Sequence, residues 1–312
     1  MKFERCPYRE LRGGRCCRMY PFHISLEGIE QKILCRETDD YDCFVKIIQI
    51  CALRKDVIVI MYVVVSNHAH IVVLAESQKA ADDYGDEIKR MYSMHFSRKY
   101  GGRSVMKHLD AKAIYIDSDW YLRNAVAYDI RNSYDNGAEN VQSYKWSGYA
   151  AMFCNGKCRG VCLDVATLSR REKRRLLHTD DDLSSVKWKL DENGELEPAS
   201  VCDWRYLEAA FGNDQTFFLK VIGTVNKAEM ETKLDRIPRT MMKDEEFLRY
   251  VNEISHRWYS SEIGNVPVAQ KLRLVKFVYH SCKTGVPQLS RAFELDRCLV
   301  ASAIGLKSDQ KR

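Results

Sequence analysis

Residues 61–76 read MYVVVSNHAHIVVLAE, and the reading of this stretch decides the fold. A long β-branched run, Val57 to Val65, breaks at Ser66-Asn67 and resumes from His68 to Leu74. Val, Ile and Tyr favour extended backbone, and an unbroken apolar run suits a central strand covered on both faces. Two such runs separated by a polar pair predict an antiparallel hairpin with a short connection. Side chains alternate along a strand, so His68 and His70 project to one side while Ala69 and Ile71 project to the other. Their α-carbons then lie about 6.5 to 7 Å apart, close enough for both imidazoles to converge on one ion. Two half-buried or surface histidines have the same spacing, so the strand alone leaves both readings open.

Working outward, YPFHISL, Tyr20 to Leu26, alternates as a half-buried strand, with Pro21 favouring its start or an edge position. Asp42 to Lys55 places Phe44, Ile47, Ile48 and Cys51 at helical spacing. Asp82 to Tyr100 does the same with Ile88, Met91, Tyr92 and Phe96 and ends at Gly101-Gly102, a helix stop. A further helix runs from Asp119 to about Tyr134. The order predicts an α+β domain over residues 1–153, with a mostly antiparallel sheet and helices on one side. Residues 154–200 are charged, carrying Asp180-Asp181-Asp182 and the turn-like Asp191-Glu192-Asn193-Gly194, and read as a connecting region with one short helix.

Residues 201–312 read as helical: Trp204 to Phe211, Gln215 to Val225 and Asp244 to Tyr259. Over 268–305 the pattern is more specific. A helix from Val268 to Lys283 is followed by Gly285, a short helix from Pro287 to Phe293, a turn at Glu294-Leu295, and a third helix capped by Asp296 and running to about Ile304. That is the layout of a helix-turn-helix, whose last helix enters a DNA major groove; an ordinary three-helix packing unit has the same spacing.

A chain of 312 residues with 46% hydrophobic and 29% charged residues has enough apolar content for about two domains with real cores, which excludes disordered and fibrous classes. No window approaches the roughly 18 apolar residues of a membrane span, and MKFERCPYRE lacks the apolar core of a signal peptide. The twelve cysteines are scattered, and Cys154, Cys158 and Cys162 lack zinc-knuckle spacing. The expected compartment is therefore the reducing cytoplasm with mostly free thiols. A net charge of +6 permits a polyanionic partner without requiring one, so the distribution of cations has to decide. Basic residues recur at Arg9, Arg12, Arg15 and Arg18, from Lys89 to Lys107, and from Arg170 to Arg175; each run also reads as a solvated face.

On the helix from Asp119, the residues Leu122, Val126 and Ile130 form the core stripe at i, i+4 and i+8. Tyr128 lies about 200° around the helix from Ile130, and Asn132 follows it by one turn. A polar face presenting both offers a phenol as nucleophile and an amide oxygen as metal ligand, although a tyrosine under a neighbouring loop has the same position.

Together these blocks resemble a known family. "YVVVSNHAHIVV" is similar to the histidine-hydrophobic-histidine motif of single-tyrosine HUH transposases (IS200-like), most closely their REP-associated branch. "YDIRNSYDNG" from Tyr128 resembles that branch's tyrosine-to-asparagine segment, "YKWSGY" from Tyr144 its Trp-Ser element, "FHISLEG" its first strand and "IKRMYSMHFSRKYGG" its middle helix. Five blocks in order cover about Tyr20 to Phe153. Ser66, Asp129, Ser133 and Glu27 depart from the family pattern, which bears on loop shape and DNA preference.

The resemblance implies an HUH endonuclease fold of the ferredoxin or RRM type and an enzyme of DNA transposition and recombination. His68, His70 and Asn132 would hold Mg²⁺ or Mn²⁺ against a scissile phosphate, and Tyr128 would attack it as nucleophile to leave a 5′-phosphotyrosine. The implied substrate is single-stranded or hairpin DNA, acted on by a monomer or homodimer. Arg90, Arg98, Lys99 and Arg103, with Tyr92 and Tyr100, are suited to tracking and stacking a single strand. Arg297, at the start of the last helix, is the candidate for a duplex contact in the C-terminal region. Two other classes remain open: a non-catalytic DNA-binding regulator on the same fold, and a metal hydrolase of small phosphoesters.

Overall fold

The computed structural model describes residues 3–27, 33–101, 109–135, 141–158, 160–223, 242–282 and 284–305. A short hairpin, β1 (Tyr8–Glu10) and β2 (Cys16–Arg18), turns at Gly13 and Gly14, both at positive φ where a side chain would be strained. After it come β3 (Tyr20–Glu27), α1 (Thr38–Arg54), β4 (Ile58–Val64), β5 (Ala69–Ala75), α2 (Gln78–Tyr100) and β6 (Asp110–Tyr115). This strand-helix-strand-strand-helix-strand order is that of the ferredoxin-like unit. Its four strands pair antiparallel throughout in the order β4-β5-β3-β6. The expected strands and helices at Tyr20, Val57, His68 and Asp82 are present, with α2 beginning four residues earlier, where the Ala80 amide donates to the Ser77 hydroxyl at 3.2 Å. The edge strand β6 and the β1–β2 hairpin were not anticipated.

The alternation of the strands makes two apolar faces, and both are covered. Phe22, Ile24, Leu26, Ile71, Val73, Tyr62 and Val64 face α1 and α2, packing with Phe44, Ile48, Tyr84, Ile88 and Tyr92. Met61, Val72 and Leu74 face the other way, onto α3 (Asp119–Asp135), whose stripe Leu122, Val126 and Ile130 seals them. The expectation of helices on one side is corrected: α1 and α2 obey it, but apolar residues on both faces of β4 and β5 leave a second face that α3 closes. The segment around Trp146 supports the outer edge of β4. There Ser147 bridges to Val63, the Val64 amide donates to the Trp146 carbonyl at 3.0 Å, and a Cβ on Gly148 would meet Met61 Sδ at 3.0 Å.

The charged region from residue 154 packs against the domain. Val165, Leu168, Leu183, Leu190 and Leu196, with Leu177 of α4 (Arg170–Leu177), form a small core on Ile50 of α1. A single turn, α5 (Pro198–Val201), and α6 (Trp204–Ala210) follow, and Tyr206, Leu207 and Ala210 of α6 join the core under α3. Residues 215–223 are helical; the continuation to Val225 lies outside the described residues.

A separate core gathers α7 (Asp244–Tyr259), α8 (Val268–Ser281), α9 (Val286–Phe293) and α10 (Arg297–Ala303) around Phe247, Val251, Leu274, Val278, Leu289 and Phe293. Between α9 and α10 the chain turns at Glu294 in the left-handed region, and Asp296 caps α10 by accepting from the Cys298 amide at 2.7 Å. This bundle is tied to the β4–β5 hairpin. Asp244, at the start of α7, takes a two-pronged bond from Arg291 at 2.7 and 3.0 Å and accepts from the Ser66 hydroxyl. No helix among the described residues is long and apolar enough to cross a membrane.

Candidate metal centre and nucleophile

Strand register assembles the site. His70 on β5 stands opposite Ser25 on β3 and Val63 on β4, while His23 stands opposite Val72. All of these point to the α3 side of the sheet. The β4–β5 connection is closed by a bond from the Val65 amide to the His68 carbonyl at 2.9 Å, which holds His68 just ahead of β5. The His68 and His70 rings come together at 4.9 Å in an edge arrangement, as their alternation requires.

From α3, Tyr128 meets the His70 ring at 5.4 Å and an interplanar angle of 78°. It is 42% exposed, in agreement with its place off the apolar stripe, and the Arg131 guanidinium lies 4.6 Å from its ring centroid. Asn132 behaves differently from the expected polar face. It is 4% exposed, and its amide nitrogen donates to the Tyr128 carbonyl at 3.1 Å rather than to either histidine. One turn past Tyr128 on a helix leaning against a sheet, position 132 rotates back toward the core.

Two residues that sequence reasoning did not place in the site belong to it. Asp129 is fully buried beside Tyr128; its Oδ1 is 2.9 Å from His23 Nε2 and 3.8 Å from His70 Nδ1. His23 and His70 are stacked at 5.2 Å. The signal for Asp129 was present: seven residues after Leu122, it falls on the buried stripe. His23 and Ser25, polar residues alternating with Phe22, Ile24 and Leu26, gave the other.

Two buried atoms here have no hydrogen-bond partner among the described residues, His70 Nδ1 and Asp129 Oδ2. Such orphans are rare in native cores and call for a role. Burial holds the His70 imidazole well below its ordinary pKa, and His68 and His23 push it the same way, so the ring is neutral and able to give a lone pair. Burial also pushes the Asp129 carboxyl up, against the opposing pull of His23. Imidazole nitrogens together with one carboxylate are a donor set for a divalent ion, and His23, His70 and Asp129 lie close enough to hold one. The site therefore carries an acidic group, which a set of two histidines and an amide lacks.

The cations expected to bind DNA sit elsewhere. α2 packs on the α1 face, opposite the histidine rings. Arg90 pairs with Glu87 at 2.7 Å; Lys99 pairs with Glu37 at 3.0 Å and with Asp40 at 2.9 Å. Tyr92 is buried, and the Tyr100 hydroxyl donates to Asp40 at 2.6 Å, so neither ring is presented for stacking. Arg98 is exposed, as is Arg297 at the first turn of α10, and Arg103 lies outside the described residues.

No protein-family model, curated protein or solved structure matches the chain.

Proposed function

We propose that this protein is a metal-dependent endonuclease and strand transferase for single-stranded or hairpin DNA, using Tyr128 as nucleophile in the manner of the single-tyrosine HUH transposases. The observation that carries the reading is the convergence of the His68, His70 and Tyr128 rings, with the tyrosine as the exposed member. A buried tyrosine would be packing. An exposed one, against His70 and beside a guanidinium, is placed to meet a phosphate.

The residues divide the work. The Asn67 side-chain oxygen is 3.0 Å from His68 Nδ1 and accepts its proton, which leaves Nε2 as the ligand atom of that ring. His68 and His70 would hold Mg²⁺ or Mn²⁺, with Asp129 supplying negative charge close by. The ion, when bound, polarises a phosphoryl oxygen and offsets the charge that develops there. Tyr128 attacks phosphorus: the Tyr–O–P bond forms, the P–O3′ bond breaks, and the proton that the phenol gives up to solvent is replaced on the departing 3′-oxygen by one from solvent. The new 5′-phosphotyrosine keeps the energy of the bond it replaced, so a 3′-hydroxyl reverses the step and rejoins DNA without a nucleotide cofactor. The Arg131 guanidinium offsets phosphate charge next to the tyrosine. In the C-terminal bundle, α9 and α10 are proposed as a helix-turn-helix, with Arg297 contacting duplex DNA near the cleaved strand.

The test incubates the protein with Mn²⁺ and a pool of labelled hairpin oligonucleotides bearing randomised flanks, resolved under denaturing conditions. A protein–DNA adduct that vanishes in Tyr128→Phe and falls sharply in His68→Ala is expected. No adduct with the unaltered protein, or an undiminished one in Tyr128→Phe, overturns the reading. Specific duplex binding without cleavage in any metal would establish a regulator instead, and diester turnover that survives Tyr128→Phe a hydrolase.

A further inference from the structure

We infer that Asp129, itself held by His23, is a positioning residue that fixes the tautomer and aim of His70, keeping the proton on Nδ1 and turning Nε2 toward His68 and Tyr128. The inference rests on the reading of His70 as a metal ligand, but it concerns the protein before any metal or DNA arrives.

Three observations carry it. First, His70 Nδ1 is enclosed, has no hydrogen-bond partner among the described residues, and lies 3.8 Å from Asp129 Oδ1. A buried N–H that faces a carboxylate oxygen needs only a small tightening to donate to it. A buried lone pair in the same place would face negative charge, which is unfavourable in a low dielectric. Second, Asp129 is anchored independently: His23 Nε2 lies 2.9 Å from the same oxygen, and β3 fixes His23 two residues from Ser25, the partner of His70 across the sheet. Third, the two rings are stacked, with 15° between their planes. Rings that share one ion each aim an in-plane lone pair at it; stacked rings aim theirs side by side. The arrangement suits two donors to one carboxylate better than two ligands of one ion.

The two histidines of the hairpin are then treated alike. His68 has its Nδ1 held by the Asn67 oxygen at 3.0 Å, and His70 has its Nδ1 directed at Asp129, so both offer Nε2. A histidine that binds a metal through one nitrogen commonly gives its other N–H to a carboxylate or carbonyl, and losing that partner costs roughly 10- to 100-fold in metal affinity. Asp129 would thus support the ion through His70 without touching it.

Histidine tautomers are read directly by long-range ¹H–¹⁵N correlation on ¹⁵N-histidine-labelled, metal-free protein, with His70→Gln assigning the signal. In the unaltered protein His70 should carry its proton on Nδ1. In Asp129→Leu, which fills the space but accepts nothing, the proton should move largely to Nε2, and Asp129→Asn should give a mixture. Titration with Mn²⁺ alone, followed by the paramagnetic signal of the free ion, should show weaker binding by about 10- to 100-fold in Asp129→Leu and a comparable loss in His68→Ala. A proton on Nε2 in the unaltered protein overturns the inference, as does a tautomer that Asp129→Leu leaves in place. So does Mn²⁺ binding that is abolished by Asp129→Leu yet unchanged in His68→Ala, because the buried trio would then be the ligand set. Neither readout uses DNA, so a failure here is distinct from a failure of the cleavage reading.

Discussion

Two buried carboxylates, one on each side of the sheet, each face a histidine, and they have opposite characters. Asp40, in the first turn of α1, lies 3.2 Å from His95 Nε2 and also accepts from the Tyr100 hydroxyl at 2.6 Å, Lys99 at 2.9 Å and the Arg36 amide at 2.8 Å. Burial alone would raise its pKa; the bonds from His95, Tyr100, Lys99 and the Arg36 amide override it and pull the carboxyl down to about 2. The bond to Asp40 carries His95 up to about 9. Asp129 accepts from His23, its Oδ2 has no hydrogen-bond partner among the described residues, and burial pushes its carboxyl up. The saturated carboxylate fastens α2 to α1. The unsaturated one lies beside an exposed tyrosine and faces His70. Satisfaction of lone pairs, more than burial or residue type, separates a structural ion pair from a site.

Mutation at the two carboxylates and their neighbours separates the two sites. The largest effect is expected in the pair Tyr128→Phe and Tyr100→Phe. The first should remove the covalent DNA adduct completely, while the second should leave it and cost about 1 to 2 kcal/mol of stability by removing one of the bonds to buried Asp40. Next come the carboxylates themselves. Asp40→Ala strands His95 and Lys99 and should destabilise by about 3 kcal/mol in urea denaturation. Asp129→Leu removes a poorly satisfied buried charge and should cost less than about 1 kcal/mol or stabilise the fold. Equal losses at the two sites would contradict the distinction.

The pH dependence of stability sharpens it further. A carboxyl depressed to about 2 stabilises the fold above its ordinary value of 3.8, and that contribution disappears as pH falls through 2. A histidine raised to about 9 stabilises the fold below its ordinary 6.5, and that contribution disappears as pH rises through 9. The two describe one bonded pair, so the contribution is counted once. Stability from it should be level between about pH 4 and 6.5 and fall by about 2 kcal/mol on either side, and Asp40→Asn should flatten both limbs. The smallest effect is expected at Arg90→Ala. It breaks a surface pair with Glu87 worth less than about 0.5 kcal/mol, and it should leave cleavage unchanged because α2 lies across the sheet from Tyr128.

Much of this architecture was legible in residue spacing. The strands flanking Ser66-Asn67, the helix bearing Tyr128 and the C-terminal helices fall within a few residues of their expected bounds, because their apolar periodicity is strong and a cap such as Asp296 marks where a helix starts. β6 was hidden because the residues on its covered face, Ala111 and Ala113, are small and weakly strand-forming, and five-residue loops such as Leu11 to Arg15 give only a weak hairpin signal. In the site, the meeting of His68 and His70 followed from strand alternation. Asp129 was legible in helix arithmetic but stood out first as a departure from an apolar position. The cations on α2 show a limit of counting charges: periodicity says that Lys99 and Arg90 lie on the polar side of their helix, but not that Glu37, Asp40 and Glu87 already engage them.

The central claim is that Tyr128 becomes covalently joined to DNA at a site organised by His68, His70 and Asp129. The sequence offers a direct handle, since cleavage after Arg123 and Arg131 releases the peptide Asn124–Arg131, in which Tyr128 is the sole tyrosine. After reaction with the hairpin pool and Mn²⁺, followed by nuclease and trypsin, mass spectrometry should find this peptide carrying a nucleotide through its 5′-phosphate. A nucleotide on any other peptide, with Asn124–Arg131 recovered only unmodified, would contradict the account.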